Sequence, residues 1–269
     1  MSSLPSLKEI PYVPRLSGSS SCLLDYNVRE IVDVALYTLK QNGLQPIEWG
    51  ALLEHRRNVP LVIRNYSYIV DGEKIESASE LLTVIGLPLM PSTGFDLRVA
   101  GEFRAKGRFH RITHSILPPL IHHLVLYPQS FIPLLPDELE DVPSIHMMSP
   151  RLSPRILAPK PAATYAAHVR MLLAYPYASS TWTNIMSSLS SLIAYGLLEM
   201  KDGCCPNIED EDEYWEVRYP ELAAKALATL REWTCEGKWA DGEDWICDVL
   251  AAFINQTGDL RHLALSNRC

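Results

Sequence analysis

Arg98, Arg104, Lys106, Arg108, His110 and Arg111 stand close together with only Glu102 opposing them, the one basic cluster in a chain whose formal net charge is −8. Guanidinium and ammonium groups at that density can dock a phosphate, a nucleotide or an acidic protein partner. A solvated loop is the alternative, because no Gly-rich phosphate loop or aromatic stacking pattern accompanies the cluster. His110, His114, His122 and His123 are potential metal ligands, and the first two would share a face in a helix. Their β-branched and aromatic surroundings, and the prolines that follow, predict strand or loop instead, so no metal centre is expected. Cys204-Cys205 lacks a ligand cluster of structural-zinc spacing, and the run Glu209 to Glu213 repels itself, which suits a solvated loop better than a cation site. No GxSxG elbow, P-loop, GxGxxG after a strand, HExxH or kinase signature occurs. Cys22, in a segment expected to be loose, is a poor nucleophile.

The elements that must position these residues begin with a helix. Asn27 with Glu30 three residues on reads as a capping box, Ile31, Val32, Ala35, Leu36 and Leu39 recur at helical spacing, and Gly43 supplies the stop. Leu44 to Glu48 is extended, and Trp49-Gly50-Ala51 leads into a brief helix that Asn58, Val59 and Pro60 end. Leu61 to Val70 is dense in β-branched and aromatic residues and predicts a strand. Asp71-Gly72 then turns into a helix with Ile75, Ala78, Leu81, Leu82 and Ile85 on one face, closed by Gly86 and Pro88. Leu97 to Val99, Phe109 to Thr113 and His123 to Tyr127 are weaker strand candidates.

Between Pro128 and Pro161 lie eight of the twenty prolines. Proline removes ladder donors and breaks helix interiors, so an irregular connection is expected there. Beyond it, Ala162 to Tyr175, Ser180 to Met200, Pro220 to Glu236 and Asp244 to Asn255 carry apolar residues three and four apart, with Pro220 suited to a first helical turn. Trp182, Tyr195, Trp215, Trp233, Trp239 and Trp245 read as packing residues of these helices rather than a stacking platform.

The order helix, short strand, Trp49-Gly50-Ala51, short helix, strand, helix resembles the core of the nucleotidyltransferase-like superfamily, in particular its divergent fungal-type members. In that family a Gly-Ser or Gly-Gly turn after the first strand lets backbone amides approach a nucleotide phosphate. The next strand then presents two carboxylates two positions apart, which with a third hold a divalent metal for phosphoryl-type transfer. On this chain Gly50 matches the turn glycine and Ala51 replaces the usual Ser or Gly. Asn65-Tyr66-Ser67 falls where Asp-hydrophobic-Asp belongs. Neither Asn65 nor Ser67 carries the charge that a hard cation requires. For the third carboxylate no Asp or Glu lies between Glu102 and Asp137, and Asp96 and Glu102 are the nearest candidates.

A chain of 269 residues with 47% hydrophobic and 21% charged residues is long enough for a sizeable core and reads as globular. Its acidity argues against general nucleic-acid binding. No apolar run spans a bilayer, and Met1 to Ser21 lacks a signal-peptide h-region. Six cysteines without CxxC spacing suit reduced thiols in a cytoplasmic, or nuclear, protein. The expected layout is one principal domain: a flexible lead-in over 1–24, an α/β (α+β) region of nucleotidyltransferase-like type over 25–130, a Pro-rich connection over 131–160, and a mainly α-helical half over 161–269.

The functional expectation is a catalytically degenerate nucleotidyltransferase-like protein that binds or regulates. Gly50, Ala51, Arg98, Arg104 and Lys106 are its candidate ligand contacts, and no cofactor is expected. Two other readings stand beside it: an active transferase holding Mg²⁺ on Asp96, Glu102 or carboxylates of the helical half, and a helical interaction module accessory to a metabolic pathway.

Overall fold

In the computed structural model of the chain, residues 22–117, 120–200, 216 and 218–256 are described. The first helix forms where its cap dictates. The Asn27 side chain accepts from the Arg29 amide and Glu30 reaches back to the Asn27 amide, opening α1 (Val28–Gln41), which ends before Gly43 at φ 74°. Ahead of it Leu23–Asp25 already makes a 3₁₀ turn, so the expected loose lead-in is ordered at its last residues, and residues 1–21 lie outside the described ones. β1 (Ile47–Trp49) and α2 (Ala51–Arg56) flank Gly50, and β2 (Asn65–Val70) is the second half of the expected strand. Asn58 at φ 68° and Pro60 turn the chain before it.

α3 (Ile75–Val84) follows. The segment expected as a strand at Leu97 to Val99 is instead α4 (Gly94–Ala100), because Thr93 and Asp96 form a capping box that nucleates it. Gly101, at φ 55°, separates it from α5 (Glu102–Lys106). β3 (Arg108–Arg111) and β4 (His123–Pro128) are the remaining expected strands.

The Pro-rich connection is not irregular. It contains β5 (Leu139–Pro143) and β6 (Arg155–Pro159), which complete a six-stranded sheet of order β3-β4-β2-β1-β6-β5. Pro143 and Pro159 close their strands and Pro154 precedes β6, so none removes a donor from a strand interior. β2 is central, antiparallel to β1 and parallel to β4, while β3 runs antiparallel to β4. On one face Tyr66, Tyr68, Val70, Leu124, Leu126 and Ile156 share a core with the apolar residues of α1 and α3. Asn65, Ser67 and Ile69 alternate to the other face, where Phe103 of α5 packs edge-on against Tyr127, 5.9 Å between ring centroids.

The loop between β5 and β6 is tied to α1 by a buried carboxylate. Asp33, 4% exposed, accepts from the amides of Arg151, Leu152 and Ser153 at 2.9 Å each and from His146 Nε2 at 3.2 Å. Burial alone would raise its pKa, but these donors outweigh it and bring it down to about 2.

The chain divides into two compact units, and the boundary is not linear in sequence. The sheet unit takes residues 22–53, 62–132 and 139–158, and the helical unit takes 54–61, 133–138 and 159–256. In the latter, α6 (Pro161–Ala174) carries proline in its first turn, as the sequence predicts for Pro220 of α8. α7 (Ser180–Leu192) passes into a π-helical turn at Ile193–Leu197, followed by α8 (Tyr219–Cys235) and α9 (Trp245–Ile254). Tyr165 donates its hydroxyl to the Leu192 carbonyl at 3.1 Å, and Trp233 packs tilted against Tyr165 and edge-on against Trp239. The Arg170 guanidinium, 13% exposed, joins Glu138 and Glu243 and is pushed further up by them against the pull of burial. Tyr165, Trp233 and Trp239 are packing residues, and Trp215 lies outside the described residues.

Candidate functional site

Strand alternation sets the site. Registers Arg111↔His123 and Asn65↔His123 place Arg111, His123 and Asn65 in one row across β3, β4 and β2, on the face away from α1 and α3. The next row inward is Phe109, Val125, Ser67 and Trp49. Asn65 and Ser67 thus share a face of a central strand, as period two requires. His123 Nδ1 lies 3.2 Å from Asn65 Oδ1.

Gly50 leaves β1 at φ 60°, a conformation that side chains resist. A Cβ on it would stand 3.3 Å from both Cβ and Oγ of Ser67, so the turn and the serine are in close contact. Ala51 is the first residue of α2. Ser67 itself is 5% exposed.

Two short helices border the row. Arg104 of α5, 8% exposed, lies 4.0 Å above the Phe109 ring and donates from Nη2 to the Pro91 carbonyl at 2.8 Å, while its Nε stands 3.7 Å from Asp96 Oδ2. Asp96 caps α4, accepting from the Thr93 amide and hydroxyl. The Thr93 hydroxyl, helped by Arg104 and His123, holds its carboxyl below the usual range. Burial, Arg104 and His122 pull the His123 imidazole down to about 4, against an upward pull from Asp96. His123 is therefore neutral at ordinary pH.

The basic cluster of the sequence does not survive as a unit. Lys106 pairs with Glu102 at 3.8 Å, both exposed, and Arg98 is an exposed residue of α4. Arg108 points to the other face and pairs with Glu76. His110, fully buried there, bonds Ser79 Oγ at 2.9 Å and the Leu87 carbonyl at 3.0 Å. Arg111 alone keeps a side chain in the row, with Nε buried and without a hydrogen-bond partner among the described residues.

The histidines diverge too. His114 is exposed and paired with Asp25 at 2.8 Å, and His122 precedes β4 with its Nδ1 buried and without a hydrogen-bond partner among the described residues. Among those residues no three of His, Cys, Asp and Glu gather as a metal would need. Cys204, Cys205 and the Glu209 to Glu213 run lie outside the described residues. Likewise, no helix among them is long and apolar enough to cross a membrane.

Sequence reasoning missed the row itself and Glu48. That carboxylate, 1% exposed and next but one to Gly50, pairs in register with Tyr68 and so faces away from Ser67. The signal for the row was present as period two, but the pairing of β2 with β4 joins residues 58 apart in the chain. Comparison with known proteins adds no assignment: no family model, curated protein or solved structure matches this chain.

Proposed function

We propose that the sheet unit is a catalytically degenerate nucleotidyltransferase-like domain, retained to bind a phosphate-bearing ligand or to regulate, without metal-dependent transfer. The observation that carries this reading is the pairing of Asn65 with His123 beside the Gly50 turn. In the superfamily the two positions on the second strand are carboxylates; here they are Asn65 and Ser67, and the neighbouring strand offers His123 and Val125 opposite them. Four neutral side chains stand where negative charge would compensate a hard cation.

The residues therefore do not fit Mg²⁺, which needs oxygen ligands of high charge and gives up water reluctantly. A rearranged site draws little support. Asp96 is engaged by Thr93 and Arg104, Glu102 by Lys106, and Glu48 is on the other face. The mixed sheet with β2 at its centre, α1 and α3 on one side, and a positive-φ glycine between β1 and α2 supports the superfamily reading of the fold.

The test is an assay for nucleotide transfer with labelled ATP, CTP, GTP and UTP, in Mg²⁺ or Mn²⁺, to the protein itself, to water and to small hydroxyl acceptors. No metal-stimulated product is expected. Product that appears with metal and vanishes with chelator would replace this reading by that of an active transferase.

A further inference from the structure

The row on the face away from α1 and α3 carries a charge that nothing described compensates. Arg111 is half-buried, its Nε is out of contact with water, and no carboxylate among the described residues pairs with it. A guanidinium so placed is costly unless an anion meets it. The surroundings add to the imbalance. Around His123 the facing groups are Arg111 on β3, Asn65 on β2, Arg104 on α5, Asp96 on α4 and His122 just before β4. Arg104 and Arg111 outnumber Asp96, and the adjoining Lys106 and Glu102 cancel each other.

We infer that the row Arg111, His123, Asn65 is an anion site that takes a phosphoryl group directly, with the Arg111 guanidinium in place of a metal ion. This rests on the reading above for the ligand class, a nucleotide or a phosphorylated metabolite, but not for the geometry. Arg111 supplies the fixed charge and the guanidinium fork that matches phosphate oxygens. Asn65, exposed, offers its amide N–H. His123 hydrogen-bonds Asn65 through Nδ1, and its Nε2 becomes a donor only on protonation. A bound anion favours that proton, so affinity rises as the pH falls.

The experiment is calorimetric titration of the full chain, in chelator, with inorganic phosphate, sulfate and ATP. Phosphate and ATP should both bind. ATP binding far tighter than phosphate identifies a nucleotide as the source, and equal affinities identify a phosphoryl group alone. Loss of one charge-assisted contact predicts that Arg111→Gln weakens binding by about tenfold or more, while Arg111→Lys keeps part of it. Sulfate does not titrate in this range, so its strengthening as the pH falls from about 6.5 toward about 4 reports His123 and should vanish in His123→Gln. Asn65→Asp, at an exposed position, should also weaken phosphate by about tenfold through repulsion, which keeps the test valid if Arg111→Gln does not fold. Lys225→Ala, on the exposed side of α8, should change nothing.

No heat with any anion, or unchanged affinity in both Arg111→Gln and Asn65→Asp, overturns the site. If Asn65→Asp with Ser67→Asp gains Mg²⁺ while the parent binds no anion, the superfamily reading stands and this inference falls. The converse result leaves the anion site standing without that reading.

Discussion

Asn65 on β2 and His123 on β4 are register partners whose side chains meet at 3.2 Å, so this stretch of the row is closed by a hydrogen bond between two neutral groups. Each stabilises the other's orientation. Neither carries a negative charge.

Gly50 should be intolerant of a side chain. A β-branched residue at φ 60° is strained, and its Cβ would press on Ser67 at 3.3 Å. Gly50→Val is expected to cost about 2–4 kcal/mol and Gly50→Ala about half of that. Urea denaturation measures both, and an unchanged midpoint for Gly50→Val would remove the turn's claim to a backbone role.

Asp33 predicts a second large effect. Asp33→Ala strands three amides and a histidine donor in a buried place, with an expected loss of about 3–5 kcal/mol. Its pKa of about 2 lies below the unfolded value, so its contribution is full above pH about 4 and fades as the pH falls toward 2. Thermal melts of parent and Asp33→Asn should converge in that window. Parallel curves down to pH about 2 would show that the charge contributes nothing.

His123 and His168 give the opposite pH signature from a histidine held in an ion pair. Burial is the first cause of depression in both, to about 4, so the folded state resists a proton that the unfolded chain accepts near 6.5. Stability should therefore be level above about pH 6.5 and fall by up to about 1.4 kcal/mol per pH unit for each histidine between there and about pH 4. His168 Nδ1 donates to the Thr164 carbonyl at 2.7 Å, which fits the neutral ring. Guanidinium unfolding at a series of pH values tests this, and a curve flat through that range would contradict it.

Much of the sheet unit was legible because its signals are local. The Asn27–Glu30 box, the glycine between β1 and α2 and the period-two placement of Asn65 and Ser67 all lie within a few residues. α4 was misread because Leu97 and Val99 suggested a strand, although Thr93 and Asp96 already spelled its capping box. β5 and β6 were hidden by prolines that sit at strand ends, where they cost little. The basic cluster dissolved for a different reason. Its partners Glu76 and Asp96, and the alternation that sends Arg108 and Arg111 to opposite faces, depend on register and long-range packing. The role of Asp33 has no local signal, since its partner His146 is 113 residues away.

The central claim is that neutral residues at Asn65 and Ser67 leave no metal site beside Gly50. Calorimetric titration of Mg²⁺ into the parent chain and into Asn65→Asp with Ser67→Asp tests it most directly, with circular dichroism to check that both are folded. The account predicts binding to the parent no better than to a surface carboxylate, and a gain of about tenfold or more in the double variant, since two carboxylates on one strand face restore the missing charge. Tight and equal binding in both would contradict it, and would mean that other carboxylates of the chain form a metal site.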